Sequence, residues 1–230
     1  MHKQILFNFM IIVMLLTSFQ LAARKPNPVS YGLKVSPSIA WISATHNDVQ
    51  SDGATVKFGA GIVSNYRLTS LFSIVSGLNY NAFGGYVMDN ASLGSTTIRN
   101  NFLINYKQLE VPIALRIRTD TIKKTSFYLQ GGISLGLILS AKEKRIPLAK
   151  NSVPIYTNVL PYTNPLRLGF QVGAGLEHRI YRWLSVFGQI TYNNSISNTA
   201  NGDKYIANDR YTQRLLLFPG SMEFSVGVMF

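Results

Sequence analysis

Cysteine is missing from all 230 residues, which excludes disulfides, thiolate metal sites and the lipid-modified cysteine of a lipoprotein. Carboxylates are scarce: ten Asp and Glu face 22 Lys and Arg, for a net charge of +12. The cations are scattered over turns, loops and alternating segments, with no basic helix and no aromatic-basic array, so no nucleic-acid partner is expected. Histidine is limited to His2, His46 and His178. Asp48 and Asp52 near His46 lack the ligand spacing of a calcium loop. Gly59-Ala60-Gly61 and Gly173-Ala174-Gly175 lie inside strand patterns with no phosphate-cradling helix after them. No metal, cofactor or catalytic residue is therefore expected. Beyond residue 23 no apolar run approaches the roughly 20 residues that a spanning helix needs.

One apolar run does occur, at the N-terminus. Lys3 precedes Ile5 to Leu16, broken only by Asn8, and Ala22 and Ala23 stand before Arg24. A core of about 12 residues fits an export signal and is short for a membrane anchor. Residues 1–23 are read as a signal peptide and 24–230 as one domain. If an exported chain without a spanning helix is to sit in a membrane, it must cross as a closed β-barrel, because only a closed ladder satisfies every backbone group in lipid.

The rest of the chain carries that pattern. Met222, Phe224, Val226, Val228 and Phe230 alternate with the small or polar Glu223, Ser225 and Gly227, and a period of two means strand. Seven earlier segments read alike: Leu33, Val35, Ile39 and Trp41; Val56, Phe58, Ile62 and Tyr66; Phe72, Ile74, Leu78 and Tyr80; Leu109 to Ile117; Phe127 to Leu137; Phe170 to Leu176; Leu184 to Tyr192. Segments of about 9–15 residues exceed the soluble norm and suit a tilted membrane crossing. The fold expected is all-β: an antiparallel up-and-down barrel of eight strands spanning a membrane.

A soluble lipocalin-like barrel or a sandwich would show the same period with its apolar face inward. Two features favour the inside-out arrangement. Glycines crowd the polar face (Gly59, Gly61, Gly77, Gly132, Gly136, Gly169, Gly173, Gly175, Gly227), and small residues belong on the concave side where side chains converge. On the apolar face, aromatic residues collect at segment ends. Tyr31, Trp41, Tyr66, Phe72, Tyr80, Phe127, Tyr192 and Phe230 read as two interfacial girdles.

Connections alternate in length. Ser43–Gly53, Val87–Asn101, Ala141–Pro165 and Ser195–Gln213 are long; Leu68–Leu71, Thr119–Thr125 and Tyr181–Trp183 are short. Long external loops and short periplasmic turns are the outer-membrane arrangement. Arg210–Phe218 offers an extra strand, and ten strands remain the alternative to eight.

An eight-stranded barrel is filled by its side chains. Lys34, Lys57, Glu110, Arg116, Glu177, Arg179 and Glu223 point inward on this reading. Position counting puts Arg116, Glu177 and Arg179 near one level and Lys57, Glu110 and Glu223 near another, so two ion-paired layers are expected, since an unpaired buried charge costs several kcal/mol. A proton or ion path through these charges is the alternative. Pro112 must either forfeit a ladder bond or mark a bulge. In the third long loop, Lys142, Lys144, Arg145 and Lys150 could meet lipopolysaccharide phosphates, or be solvated charges with no ligand. Lys123 and Lys124 in a short turn read as solubility residues. Catalysis at the rim would depend on His46 with Ser43, Asp48, Ser51 and Asp52; His178 falls at the opposite end of the barrel.

The stretch Tyr106-Lys107-Gln108-Leu109-Glu110-Val111-Pro112-Ile113-Ala114-Leu115-Arg116 resembles a strand of the PorT-type outer-membrane β-barrel family. Tyr31-Gly32-Leu33-Lys34, Gly77-Leu78-Asn79-Tyr80 and the ending Phe224-Ser225-Val226-Gly227-Val228-Met229-Phe230 resemble that family too. The resemblance implies a Gram-negative outer membrane, insertion by the barrel-assembly machinery through the aromatic C-terminal strand, and no known catalytic residues. The family takes its name from a member that assists a secretion system for cell-surface proteins. The expected role is structural or interactive, through external loops or lateral contacts, as an accessory to a secretion or uptake machine. A small porin-like channel and a rim lipid-modifying enzyme are the alternatives.

Overall fold

The structure is a computed structural model and describes residues 28–45, 49–93, 96–119, 121–146, 155–201 and 216–230. The expected signal peptide, His46, Asp48 and Lys150 lie outside the described residues. Ten strands are described: β1 (Val29–Thr45), β2 (Val49–Gly53), β3 (Thr55–Arg67), β4 (Phe72–Leu93), β5 (Thr96–Arg118), β6 (Thr125–Ile146), β7 (Ile155–Asn158), β8 (Leu166–Tyr181), β9 (Leu184–Ser195) and β10 (Leu216–Met229). Eight of them, β1, β3, β4, β5, β6, β8, β9 and β10, pair antiparallel in a ring that closes when β10 meets β1, with Val35 opposite Val226. The two short strands lie outside the ring order, β2 on β4 and β7 on β6. Closure removes sheet edges from the membrane span.

Alternation sets the faces. Leu33, Phe58 and Leu129 are 55, 58 and 65% exposed, whereas Glu110 and Arg116 are 1 and 3% exposed. Apolar side chains thus look out and polar ones in, the reverse of a soluble barrel.

Three features depart from the expectation. First, Val87–Asn101 is not simply a loop: β4 runs to Leu93 and β5 begins at Thr96, and the two pair from Leu93↔Thr96 down to Phe72↔Ile117. Second, a bulge opposite Lys107/Gln108 shifts the register of β6 around Leu139, so the inward positions pass from Ile138 to Ala141 and Glu143. Third, above that bulge most of the interior is apolar, with Glu143 a buried exception. Ile42, Phe83, Val87, Ile104, Tyr106, Ile138, Ala141 and Leu217 form one buried cluster. Outward positions at this level include the exposed Lys107 and Lys142, so the strands leave the apolar band and enclose a core of the ordinary soluble kind.

Of the extra strand expected over Arg210–Phe218, Leu216–Phe218 belongs to β10, and residues 202–215 lie outside the described residues. Pro112 marks no bulge. The β4–β5 register is the same on both sides of it, from Ser76↔Ile113 to Asn79↔Glu110, and Ser76 Oγ donates to the Pro112 carbonyl at 2.9 Å. At the short-turn end, Ile122 and Thr125 exchange backbone hydrogen bonds of 2.8 and 2.9 Å around Lys123 and Lys124, which take φ of 46° and 74°.

Candidate functional site

The lumen is assembled by a simple device: side chains two strands apart meet over a glycine on the strand between them. Neighbouring strands are ~4.8 Å apart, so next-nearest strands are ~10 Å apart, and two long side chains can span that gap if nothing fills it. Glu110 of β5 is opposite Gly136 of β6, which is opposite Arg167 of β8. Glu110 Oε2 and Arg167 Nη1 lie 3.2 Å apart, both fully buried. A Cβ on Gly136 would fall 2.5 Å from Gln108 Oε1, and Gln108 Nε2 donates to Glu110 Oε2 at 2.7 Å. Tyr128 of β6 likewise crosses Gly175 of β8 to donate to Gln189 Oε1 of β9 at 3.1 Å. Polar-face glycine is thus the space in which the network forms.

Charges are arranged in levels. Nearest the short turns, Arg118 Nη2 contacts Glu177 Oε2 at 2.8 Å. Above it, Arg116 donates through Nε and Nη2 to Gln130 Oε1 at 3.1 and 2.8 Å, and its guanidinium lies 3.9 Å from the Tyr128 ring centroid. The opposite wall at this height is apolar, formed by Val63, Val75, Phe187 and Met229. Next comes a small cavity of ≈ 20 Å³ lined in part by Lys34, Asn79, Arg116, Gln171 and Glu223, about the room of a single water. Over it stands the Glu110–Arg167 pair, with Arg167 Nη2 donating to Asn193 Oδ1 at 3.2 Å and Glu223 within the fields of Lys34, Glu110 and Arg167. Arg167 also lies 5.1 Å from the Phe83 ring, which stacks on Tyr106 at 4.9 Å. The charged core therefore passes directly into the apolar one.

The sequence-derived positions fall as follows. Glu110, Arg116, Glu177 and Glu223 face the lumen, but not in the pairs expected. Glu177 takes Arg118 instead of Arg116 or Arg179, because Arg179 sits exposed at the rim. Glu110 takes Arg167 instead of Lys57, because Lys57 Nζ donates to Asn105 Oδ1. Lys34 is half-buried on the cavity wall. Arg118 and Arg167 were missed: each sits at the edge of an alternating segment, although Arg167 between the outward Leu166 and Leu168 carried the signal.

Tyr31, Tyr66, Phe72, Tyr80, Phe127 and Phe230 are exposed on the outer wall. Trp41 and Tyr192 are half-buried there, with ring centroids 6.0 Å apart, and Phe170 extends the row at 5.9 Å. Among the loop cations, Lys142 and Lys144 share the outward face, with Lys144 5.7 Å from the Tyr156 ring. Arg145 turns to the other face over Phe102 at 5.2 Å. Ser43, Ser51 and Asp52 are exposed at the long-strand end, and His178 is at the other, its Nδ1 2.8 Å from Thr125 Oγ1. Among the described residues no group of three or more His, Asp or Glu stands where it could hold a metal ion, and no helix is long and apolar enough to cross a membrane.

A family model described as "Outer membrane protein beta-barrel domain" matches residues 19–201. No curated protein sequence matches. Among solved structures, Neisserial surface protein A is similar at 14% identity and TM-score 0.46, over 86% of this chain and 95% of that one. A major outer membrane protein of Thermus thermophilus is similar at 9% identity and TM-score 0.46, over 88% and 99%. The outer membrane protein OprG of Pseudomonas aeruginosa is similar at 11% and 0.44, over 87% and 96%.

Proposed function

We propose that this chain, which belongs to the outer membrane protein beta-barrel domain family, is an integral outer-membrane barrel with a sealed lumen that works by contact. On this reading it is neither a conduit nor an enzyme. Its partners meet the long-strand end or the lipid-facing wall, and the PorT-type resemblance makes an accessory of a secretion or uptake machine the leading role. Residues 1–23 direct export, and the aromatic strand Met222–Phe230 is the segment offered to the barrel-assembly machinery. Short turns face the periplasm and the extended strands face outward. Lys142 and Lys144 then stand where lipopolysaccharide phosphates would be met.

The observation that carries the sealed reading is the continuity of the filling. Arg118–Glu177, Arg116–Gln130, Glu110–Arg167 and the Phe83–Tyr106 stack follow one another up the lumen. Purified barrel in planar bilayers is expected to give no unitary conductance, and reproducible conductance steps would replace this reading with the porin-like one. Cross-linking a tagged chain in intact outer membranes should recover secretion or uptake subunits in stoichiometric amounts; recovery of lipopolysaccharide and abundant neighbours alone would make it a stand-alone surface barrel.

A further inference from the structure

The lipid-facing wall is interrupted across β8, β9, β10 and β1. Gly188 of β9 looks outward, and a Cβ built on it would meet nothing within 4 Å. Unlike Gly136 and Gly175 of the lumen, it makes room for no neighbouring side chain. Leu33, Leu176, Val186, Val226 and Val228 surround it and line an open groove of ≈ 580 Å³. Toward the short turns the groove ends on an aromatic shelf: Tyr181, Trp183 and Phe230 stack in sequence, with centroids 6.0 and 6.4 Å apart.

The rim below the shelf is basic. Arg182 lies in the turn between Tyr181 and Trp183, and the Arg179 backbone N–H donates to the Lys124 carbonyl at 2.8 Å, which brings the Lys123–Lys124 turn alongside. All four cations are exposed. The carboxylate of the same strand, Glu177, is held by Arg118, and Asp120 lies outside the described residues. The turn supplies an independent observation. Lys123 and Lys124 both occupy the left-handed region, where a two-residue hairpin turn favours Asn-Gly. Lysine at both positions gives up the residue preference of such a turn and places charge at the rim.

We propose that this face holds an anionic phospholipid, one acyl chain lying in the Gly188 groove above the shelf and the phosphate on Lys124 and Arg182. Aliphatic walls, aromatic rings at headgroup depth and cations beyond them follow the order of chemistry along such a lipid. Only the choice of leaflet rests on the orientation given under the proposed function.

Native mass spectrometry of the detergent-solubilised full chain, with phosphatidylglycerol and phosphatidylcholine of matched acyl chains, tests the site. Phosphatidylglycerol should be retained on the order of tenfold more strongly. Gly188→Leu should project a side chain into the groove and weaken the retention of both lipids. Lys123→Asn/Lys124→Gly installs the favoured turn pair, so the barrel stays folded by gel heat-modifiability while phosphatidylglycerol retention falls toward that of phosphatidylcholine. Equal retention of the two lipids by the native chain, or undiminished retention by both variants, would overturn the proposal. Labelling of Lys124→Cys by a membrane-impermeant maleimide in intact cells would overturn the orientation and leave the lipid preference standing.

Discussion

Arg167 of β8 reaches Glu110 of β5 at 3.2 Å across a strand that places only Gly136 between them. Both charges of the pair have left water, and Glu223 stands in the same field. Breaking such a pair from one side leaves an uncompensated buried charge and costs about 3–5 kcal/mol, whereas replacing both members with apolar groups is often neutral. Glu110→Leu alone should therefore lower the urea midpoint of the vesicle-embedded barrel, read by Trp41 and Trp183 fluorescence. Adding Arg167→Met should recover most of the loss, since Phe83 and Tyr106 already offer apolar contact on one side. A double variant as unstable as the single one would mean that the pair is not the unit of stability.

Glycine position gives a second prediction. Gly136→Val would drive a methyl into Gln108, and Gly175→Val into the Tyr128 ring, whose Cζ lies 2.5 Å from the added Cβ. Overpacking of this kind costs about 1–3 kcal/mol. Gly188→Val, in open space on the outer wall, should stay within about 0.5 kcal/mol of the parent in the same urea titration. Equal losses at all three sites would count against lumen space as the cause, because loss of a glycine's unfolded-state freedom by itself stabilises a strand.

Much of the ring was legible because membrane-facing alternation is a local property: most outward residues from Val56 to Tyr66 and from Phe127 to Leu137 announce their face two positions later, with Ser64 and Gly131 as the breaks. What the sequence concealed was non-local. The choice of Arg167 over Lys57 for Glu110 depends on which residues stand level across three strands, and on Gly136 leaving the gap. The β4–β5 extension was hidden by Asp89, Asn90, Ser92 and Asn100, whose turn-forming character reads as loop, and the parity change at Leu139 broke the period that would have joined Ile138 to Ala141. Arg118, the last residue of β5, and Arg167, the second of β8, lay where boundaries are least certain.

The apolar cluster above the charged core should behave as a separable unit. Tyr106 is buried against Phe83 and the cluster joins β1, β4, β5, β6 and β10. Truncating a large buried ring costs about 3–5 kcal/mol, and the loss falls on strands that have already left the lipid. Tyr106→Ala should open the long-strand end to trypsin after Lys107, Lys142 and Lys144 while the membrane-embedded half stays protected. Fragment masses decide it: cleavage throughout the chain would mean that the two cores unfold together.

Outside the barrel, the decisive contrast is between outward positions at different heights. Leu135 projects into the apolar band at 55% exposure, while Ser134 beside it is buried in the lumen. An arginine on the lipid face near the bilayer midplane costs about 2–4 kcal/mol, and only about 0–1 near an interface. Leu135→Arg should thus depress folding into vesicles by a measurable step, whereas Tyr156→Arg on β7, beyond the apolar band at the long-strand end, should leave it nearly unchanged. Folding yield by gel heat-modifiability across a urea series gives both values on one scale. If Tyr156→Arg were the costlier change, the apolar band would extend to β7, and the part of the chain assigned to the exterior would have to be moved into the membrane.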